Sequence, residues 1–291
     1  MKKIWLVTTD HLEEGLWFRD EEDFRVAMNY IAIQAAQSGL VVVLAFILMS
    51  NHVHFVLKGR REDVIEFINA FKHRYSIYFR KKYGVKEFLR DNGVDVKPVQ
   101  TINEELERVI AYVQMNCVAA GICAHPSQYP WGCGNVFFNA SRPSGRQLQD
   151  LSKNKMRRQL IHSDFEDLPG KWIMGETGFI LPQSYVDSRT VEDCFRTPAR
   201  MNYFLNSSSK AKKRIETGEE HLPALRDQLI LPLLPELCRR LFGKNSFQEL
   251  STSEQVEYIR QIQYRFSANV NQIARLLGLT YEAVAKLMDS I

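Results

Sequence analysis

Residues 40–59 read LVVVLAFILMSNHVHFVLKG, and this stretch decides the fold. Leu40 to Met49 is an unbroken run of β-branched and large apolar residues, the pattern of a buried strand. Its ten residues are too few to cross a bilayer. Ser50-Asn51 interrupts the run, and His52 to Leu57 resumes with strict alternation. In a strand, side chains alternate faces, so His52, His54 and Val56 share one face while Val53, Phe55 and Leu57 share the other. The two imidazoles then sit roughly 6–7 Å apart at Cα, close enough to share one metal ion. The competing account of any His-x-His pair is two ordinary histidines on a half-exposed strand.

Outward from this pair the chain alternates strands and helices. Ile4 to Thr9 is rich in strand formers. Glu21 to Gln37 has helical spacing through Phe24, Met28, Ile31 and Ala35, and Gly39 stands where that helix would end. Asp63 to Lys82 is helical through Ile65, Ile68, Phe71, Tyr75 and Phe79, stopped by Gly84. Val94, Val96 and Val99 suggest a short strand. Thr101 with Glu104 offers a capping box for a helix running through Ala120 to Gly121. This order suits an α+β fold, a ferredoxin-like antiparallel sheet with helices on one face, followed by a mainly helical C-terminal region.

The expected domains are 1–138, then 139–215 as linker and mixed helical region, then 216–291 as helices. HPSQYPWGCG and NASRPSGRQ, within 124–150, carry turn and linker chemistry. Helical spacing recurs at 153–162 and 190–206, and Lys210 to Arg214 reads as an exposed basic face. At the end, Asn269 could cap a helix from Val270 to Leu277, Gly278 turns, and Thr280 caps a second helix to Met288, a helix-turn-helix-like pair.

The chain has 291 residues, 45% apolar and 25% charged, an ordinary globular composition. Its net charge of +4 says little about partners, but its distribution says more. Between Lys58 and Arg90 ten Lys/Arg face four acids, which leaves +6 in this one segment. Such a concentration suits a phosphate backbone, and suits a solvated helix face equally well. The five cysteines have no CxxC spacing and read as buried or free thiols in a reducing compartment. With no signal peptide or membrane span in view, the expectation is a cytoplasmic protein without membrane association.

Two further groups could carry chemistry. Tyr112 and Asn116 lie four residues apart, on one flank of the apolar stripe Leu106, Val109, Ile110, Val113, Cys117 and Ala120. A phenol is a poor nucleophile unless a metal or base assists, and an amide oxygen is a reasonable hard ligand for Mg²⁺ or Mn²⁺. The plain alternative is a tyrosine at a helix edge and an asparagine near a helix end. The helix FKHRYSIYFRKKYG, residues 71–84, interleaves Lys72, Arg74, Arg80, Lys81 and Lys82 with tyrosines, a pattern suited to single-stranded nucleic acid. Phe71, Tyr75 and Phe79 within it have core spacing.

In order, MSNHVHFVL, the 71–84 helix, YVQMNCVAAGI and YPWG resemble the layout of single-tyrosine HUH transposases, above all the REP-associated tyrosine transposases. TTD and LWFRDEEDF fit the start of that pattern. The resemblance spans about residues 1–138, with departures at Thr9-Asp10, at Ser50 and in NCVAAG. It implies a ferredoxin-like catalytic domain that cleaves and rejoins single-stranded or hairpin DNA with a divalent metal, Mg or Mn. It implies His52 and His54 as metal ligands, Asn116 as a third, and Tyr112 as the nucleophile that forms a 5′-phosphotyrosine link. The alternative is a domesticated, non-catalytic DNA-binding or regulatory protein that keeps the fold. The C-terminal helices could contact duplex DNA or be a structural hairpin. The chain would act as a monomer or homodimer.

Overall fold

The computed structural model describes residues 3–10, 16–141, 143–151, 168–206, 227–266, 268 and 270–288. The expectations at 153–162, Lys210 to Arg214 and Asn269 lie outside these. Strand β1 (Lys3–Thr9), helix α1 (Glu21–Ser38), β2 (Val42–Met49), β3 (His52–Gly59), α2 (Arg61–Tyr83) and β4 (Val94–Val99) follow in the expected order. They form a four-stranded sheet, β2-β3-β1-β4, antiparallel throughout. The β1–β3 register pairs Thr8 with His54 and Val7 with Phe55.

Local chemistry sets the helix ends. The Asp20 carboxylate accepts from the Asp23 backbone N–H at 3.0 Å, and Glu21, Glu22 and Asp23 occupy the first turn of α1, where the helix dipole favours negative charge. Gly39 ends α1 with φ +53 and Gly84 ends α2 with φ +68, conformations that cost glycine no steric penalty.

Both faces of β3 are buried, so the sheet carries helices on both sides. Phe55 packs against Phe67 and Phe71 of α2, whereas its neighbour His54 meets Tyr112 of helix α3 (Glu105–Gln114). Helices α1 and α2 share one face, and α3 covers the other. The expectation of helices on one face is corrected in that respect: β3 presents its alternate side chains to two apolar layers, not to one layer and solvent.

The expected helix from Thr101 to Ala120 is also different. Glu104 has φ +62 and makes no capping hydrogen bond; its carboxylate pairs instead with Arg108 and Arg200. Helix α3 begins at Glu105 and stops at Gln114, and a short turn of helix, α4 (Asn116–Ala119), follows. At this break the Asn116 amide donates to the carbonyls of Tyr112 (2.8 Å) and Val113 (3.2 Å), and the Cys117 thiol donates to that of Gln114 (3.2 Å). Side chains thus serve carbonyls at a helix terminus.

The boundary expected at 138 does not separate two cores. Tyr129 Oη donates to the Leu48 carbonyl, Leu48 N–H to that of Trp131 and Cys133 N–H to that of Phe46, so this segment covers the open edge of β2. A small two-stranded sheet (Arg146–Gln147 with Ile173–Met174) and helices α5 (Ser188–Phe195) and α6 (Pro198–Asn206) add Trp172, Ile180, Val191, Phe195 and Leu205 to the same core. Buried Asn29 of α1 clasps this addition, accepting from Ile180 N–H at 2.8 Å and donating to the Gly178 carbonyl at 3.2 Å.

A second cluster gathers α7 (Leu234–Phe242), α8 (Thr252–Phe266), α9 (Val270–Leu277) and α10 (Tyr281–Met288) around Leu237, Tyr258, Ile262, Ile273 and Val284, with Leu16 inserted. Gly278 turns the last pair, and the Thr280 hydroxyl accepts from Ala283 N–H, as the sequence suggests. Among the described residues, no helix is long and apolar enough to cross a membrane.

The clasp is testable. Asn29→Ala removes both bonds from buried groups and should destabilise the protein by about 1–3 kcal/mol. Hydrogen exchange should speed up at Ile180 while the β1–β3 amides keep their protection; unchanged exchange at Ile180 would contradict this packing.

Candidate functional site

The register of β3 brings the two histidines to one point. His52 Nε2 and His54 Nε2 lie 3.0 Å apart, with rings nearly perpendicular and centroids 4.7 Å apart. Both side chains are buried. Each Nδ1 is held from behind. Asn51 Oδ1, which can only accept, lies 2.9 Å from His52 Nδ1 and so assigns the proton to that nitrogen. Its Nε2 then presents a lone pair. Thr8 Oγ1 lies 3.0 Å from His54 Nδ1. Its hydroxyl can donate or accept, so it can support either tautomer of His54. In one, His54 Nε2–H donates to His52. In the other, both Nε2 lone pairs face a shared cation. The Thr9 hydroxyl accepts from Val53 N–H at 3.0 Å and ties the strand between the histidines to β1.

This donor set fits a divalent metal. Two ligands at about 2.1 Å and a right angle stand about 3.0 Å from each other, the spacing of the two Nε2 atoms. Metal-bound histidines commonly have their second nitrogen fixed by an oxygen, as both are here. No group of three or more His, Cys, Asp or Glu side chains that could hold a metal occurs among the described residues. Further ligands would therefore be an amide or substrate oxygen, or water.

Tyr112 lies against the pair, and Asn116 follows it by one helical turn. The Tyr112 ring stands edge-on to His54, centroids 5.6 Å apart. Burial pushes the Tyr112 phenol above its ordinary pKa, and the charge of Lys97 opposes this. Lys97 lies on β4 opposite Leu6, which in turn pairs with Val56, so it shares the histidine face. The buried Asn116 commits its NH₂ to two carbonyls, which fixes the amide and makes its oxygen the end able to ligate.

The basic helix is not brought to this point. It lies on the opposite face of the sheet, and three of its cations serve the fold. Lys82 forms ion pairs with Asp20, Glu22 and Asp23, because the last turn of α2 meets the acidic first turn of α1. Lys72 is buried and donates to the Asn92 carbonyl. Arg74 sits over the Tyr30 ring and donates to Gln37 Oε1. Arg80 and Lys81 are exposed. Thr8, Asn51 and Lys97 were not singled out by sequence reasoning. Asn51 directly precedes the His-x-His pair, but Thr8 and Lys97 join the site only through pairing across the sheet.

A comparison with solved structures finds a REP-associated tyrosine transposase bound to a REP hairpin. The match has 13% identity and a TM-score of 0.35, and covers 46% of this chain and 77% of that one. No curated protein matches the chain significantly. The family model described as IS200-like transposase matches residues 17–116. The stretch from Trp17 to Asn116, which carries both histidines, Tyr112 and Asn116, is thus the part of this chain that matches the IS200-like transposases.

Proposed function

We propose that this domain cleaves and rejoins single-stranded, hairpin-containing DNA by transesterification, with Tyr112 as nucleophile and Mg²⁺ or Mn²⁺ held by His52, His54 and Asn116. The observation that carries the reading is the Tyr112 ring against His54 while the two Nε2 atoms converge. A metal bound there would polarise the scissile phosphate and offset the charge that develops on it. Tyr112 Oη attacks phosphorus and its proton passes to water. The bond from phosphorus to the 3′ oxygen breaks, and that oxygen takes up a proton and leaves as a 3′-OH. The 5′ side remains joined to Tyr112, and attack by a 3′-OH on this link restores a phosphodiester with no external energy source. Asn51 and Thr8 orient the two imidazoles, and Lys97 favours the phenolate.

Incubation of the protein with single-stranded hairpin DNA and Mn²⁺ should give a covalent protein–DNA adduct, absent in Tyr112→Phe. Tight binding without any adduct would favour a DNA-binding protein that has lost cleavage. Cleavage that survives Tyr112→Phe would assign the nucleophile elsewhere.

The partner of His54 gives a second prediction. Thr8→Val should weaken Mn²⁺ binding by about 10–100-fold, as loss of a partner behind a ligand does. Thr8→Ser should restore it. Titration calorimetry measures both, and equal affinity in all three proteins would remove Thr8 from the site.

The raised Tyr112 pKa fixes a pH trend. The phenol is protonated near neutrality, so the phenolate fraction grows about tenfold per pH unit. Single-turnover cleavage should climb from pH 7 to 9 without a plateau, and Lys97→Ala should slow it at each pH. A flat profile would contradict attack by the phenolate.

A further inference from the structure

A cleft between α2 and residues 85–93 takes no part in the histidine site. The Ser76 hydroxyl donates to the Phe88 carbonyl at 2.6 Å, and Phe88 stacks on Phe79 with centroids 3.6 Å apart, which holds the loop to the helix. The space left is about 400 Å³, and its lining includes Lys72, Arg80, Lys86 and Arg90 with a single carboxylate, Glu87. Glu87 is taken up by Arg90 at 2.7 Å. Among the described residues no carboxylate pairs with Lys72, Arg80 or Lys86. The cleft is therefore a concave surface with an excess of cations.

The buried Lys72 is part of its lining. The residue is only 7% exposed, and its ammonium donates to the Asn92 carbonyl. Burial pushes its pKa down, opposed by the charge of Asp10. Among the described residues no carboxylate lies within ion-pair reach of this buried ammonium, and a bound anion would offset the cost of burying it. Arg80, Lys86 and Arg90 stand exposed around it, Arg80 donating to the Lys86 carbonyl and Arg90 to Glu87.

The cleft is well placed relative to the site. Asn92 leads into β4, an edge strand whose Val94 and Asp95 pair with Thr9 and Thr8. Thr8 in turn holds His54. Cleft and histidine pair therefore lie at the same end of the sheet, on opposite faces, with β4 as the edge between them. A strand passing round that edge meets Lys97 on the histidine side.

We propose that this cleft binds a backbone phosphate of the single-stranded DNA flanking the reacting phosphodiester, as a second anchor separate from the His52–His54–Tyr112 site. The proposal rests on the reading that the domain handles DNA strands. Two anchors on opposite faces of one edge strand would fix the path and polarity of the strand at the reacting centre, which neither anchor alone could do.

The test is fluorescence anisotropy with a labelled DNA hairpin carrying single-stranded tails, in EDTA, over a range of salt. Three proteins are compared: wild type, Arg80→Ala/Lys86→Ala/Arg90→Ala, and the control Lys3→Ala/Arg61→Ala/Arg189→Ala. All replaced cations are exposed, so matching thermal melts verify that the triple variants fold. The cleft variant should bind about tenfold or more weakly at low salt, with the slope of log K against log salt reduced by about 1, as loss of one phosphate contact requires. The control triple should stay near wild type. Wild-type affinity and slope in the cleft variant, or an equal loss in the control triple, would overturn the cleft while leaving the histidine site standing. If wild type binds no DNA, the DNA-handling reading and the cleft fail together.

Discussion

The site depends on the register of β1 on β3. Thr8 lies opposite His54 and Val7 opposite Phe55. A one-residue slip would turn each side chain of β3 to the other face. The histidines would then enter the aromatic layer of Phe67, Phe71 and Tyr75, and Phe55 would face Tyr112. The register is held by apolar burial on both faces of β3, by the Thr9 hydroxyl on Val53 N–H, and by the β2 pairing that sets Met49 opposite His52. Two hydrophobic layers thus fix a polar site at the end of a strand. Converged imidazoles need that rigid support, since a shift of a few tenths of an ångström would spoil a shared ligand position.

A second constraint links the remaining parts. Asp20, Glu22 and Asp23 at the start of α1 gather Lys82 from α2 and Arg240 from the C-terminal helices. Burial raises the Asp20 pKa, but the hydrogen bonds and charge of Lys82 outweigh it and leave the group below its ordinary value. Asp23 is raised, by burial and then by the charge of Asp20. Tyr78 and Tyr83 donate to Asp23. Such a cluster is costly to break from one side, because removing Lys82 would strand buried carboxylates. It explains why the most basic turn of α2 is structural at Lys82 while its exposed neighbours remain available. It also fastens the C-terminal cluster to the first domain, together with the Gln263 amide on the Gly121 carbonyl.

The sequence was most legible where one periodicity dominated. The apolar run from Leu40 and the alternation from His52 gave two strands and the facing of the histidines. The spacing in α1 and α2 gave their extents, because Gly39 and Gly84 punctuate them. Legibility failed where a long-range partner decided. Thr101 and Glu104 have capping-box spacing, but Arg108 and Arg200 draw the Glu104 carboxylate away. Asn116 read as a candidate ligand within one continuous helix, yet its amide NH₂ serves the break at which α3 ends. The turn-rich stretch around Tyr129 to Cys133 reads locally as linker, and only the bare edge of β2 makes it structure. In the basic helix, charge alone could not separate Lys82, bound to acids about sixty residues away in sequence, from Arg80, which pairs with no acid among the described residues. Of the candidate site, His52, His54 and Tyr112 lie in contact, and Thr8 joins them through a pairing that no local pattern announces.

In the proposed function, His52 and His54 converge to hold one divalent cation beside Tyr112. Anomalous diffraction from crystals soaked in Mn²⁺ tests it most directly. The account predicts one strong peak about 2.1 Å from both Nε2 atoms, with the Tyr112 ring next to it, and loss of that peak in His54→Ala. A peak elsewhere, or a proton shared between the two imidazoles with no metal at saturating Mn²⁺, would contradict it.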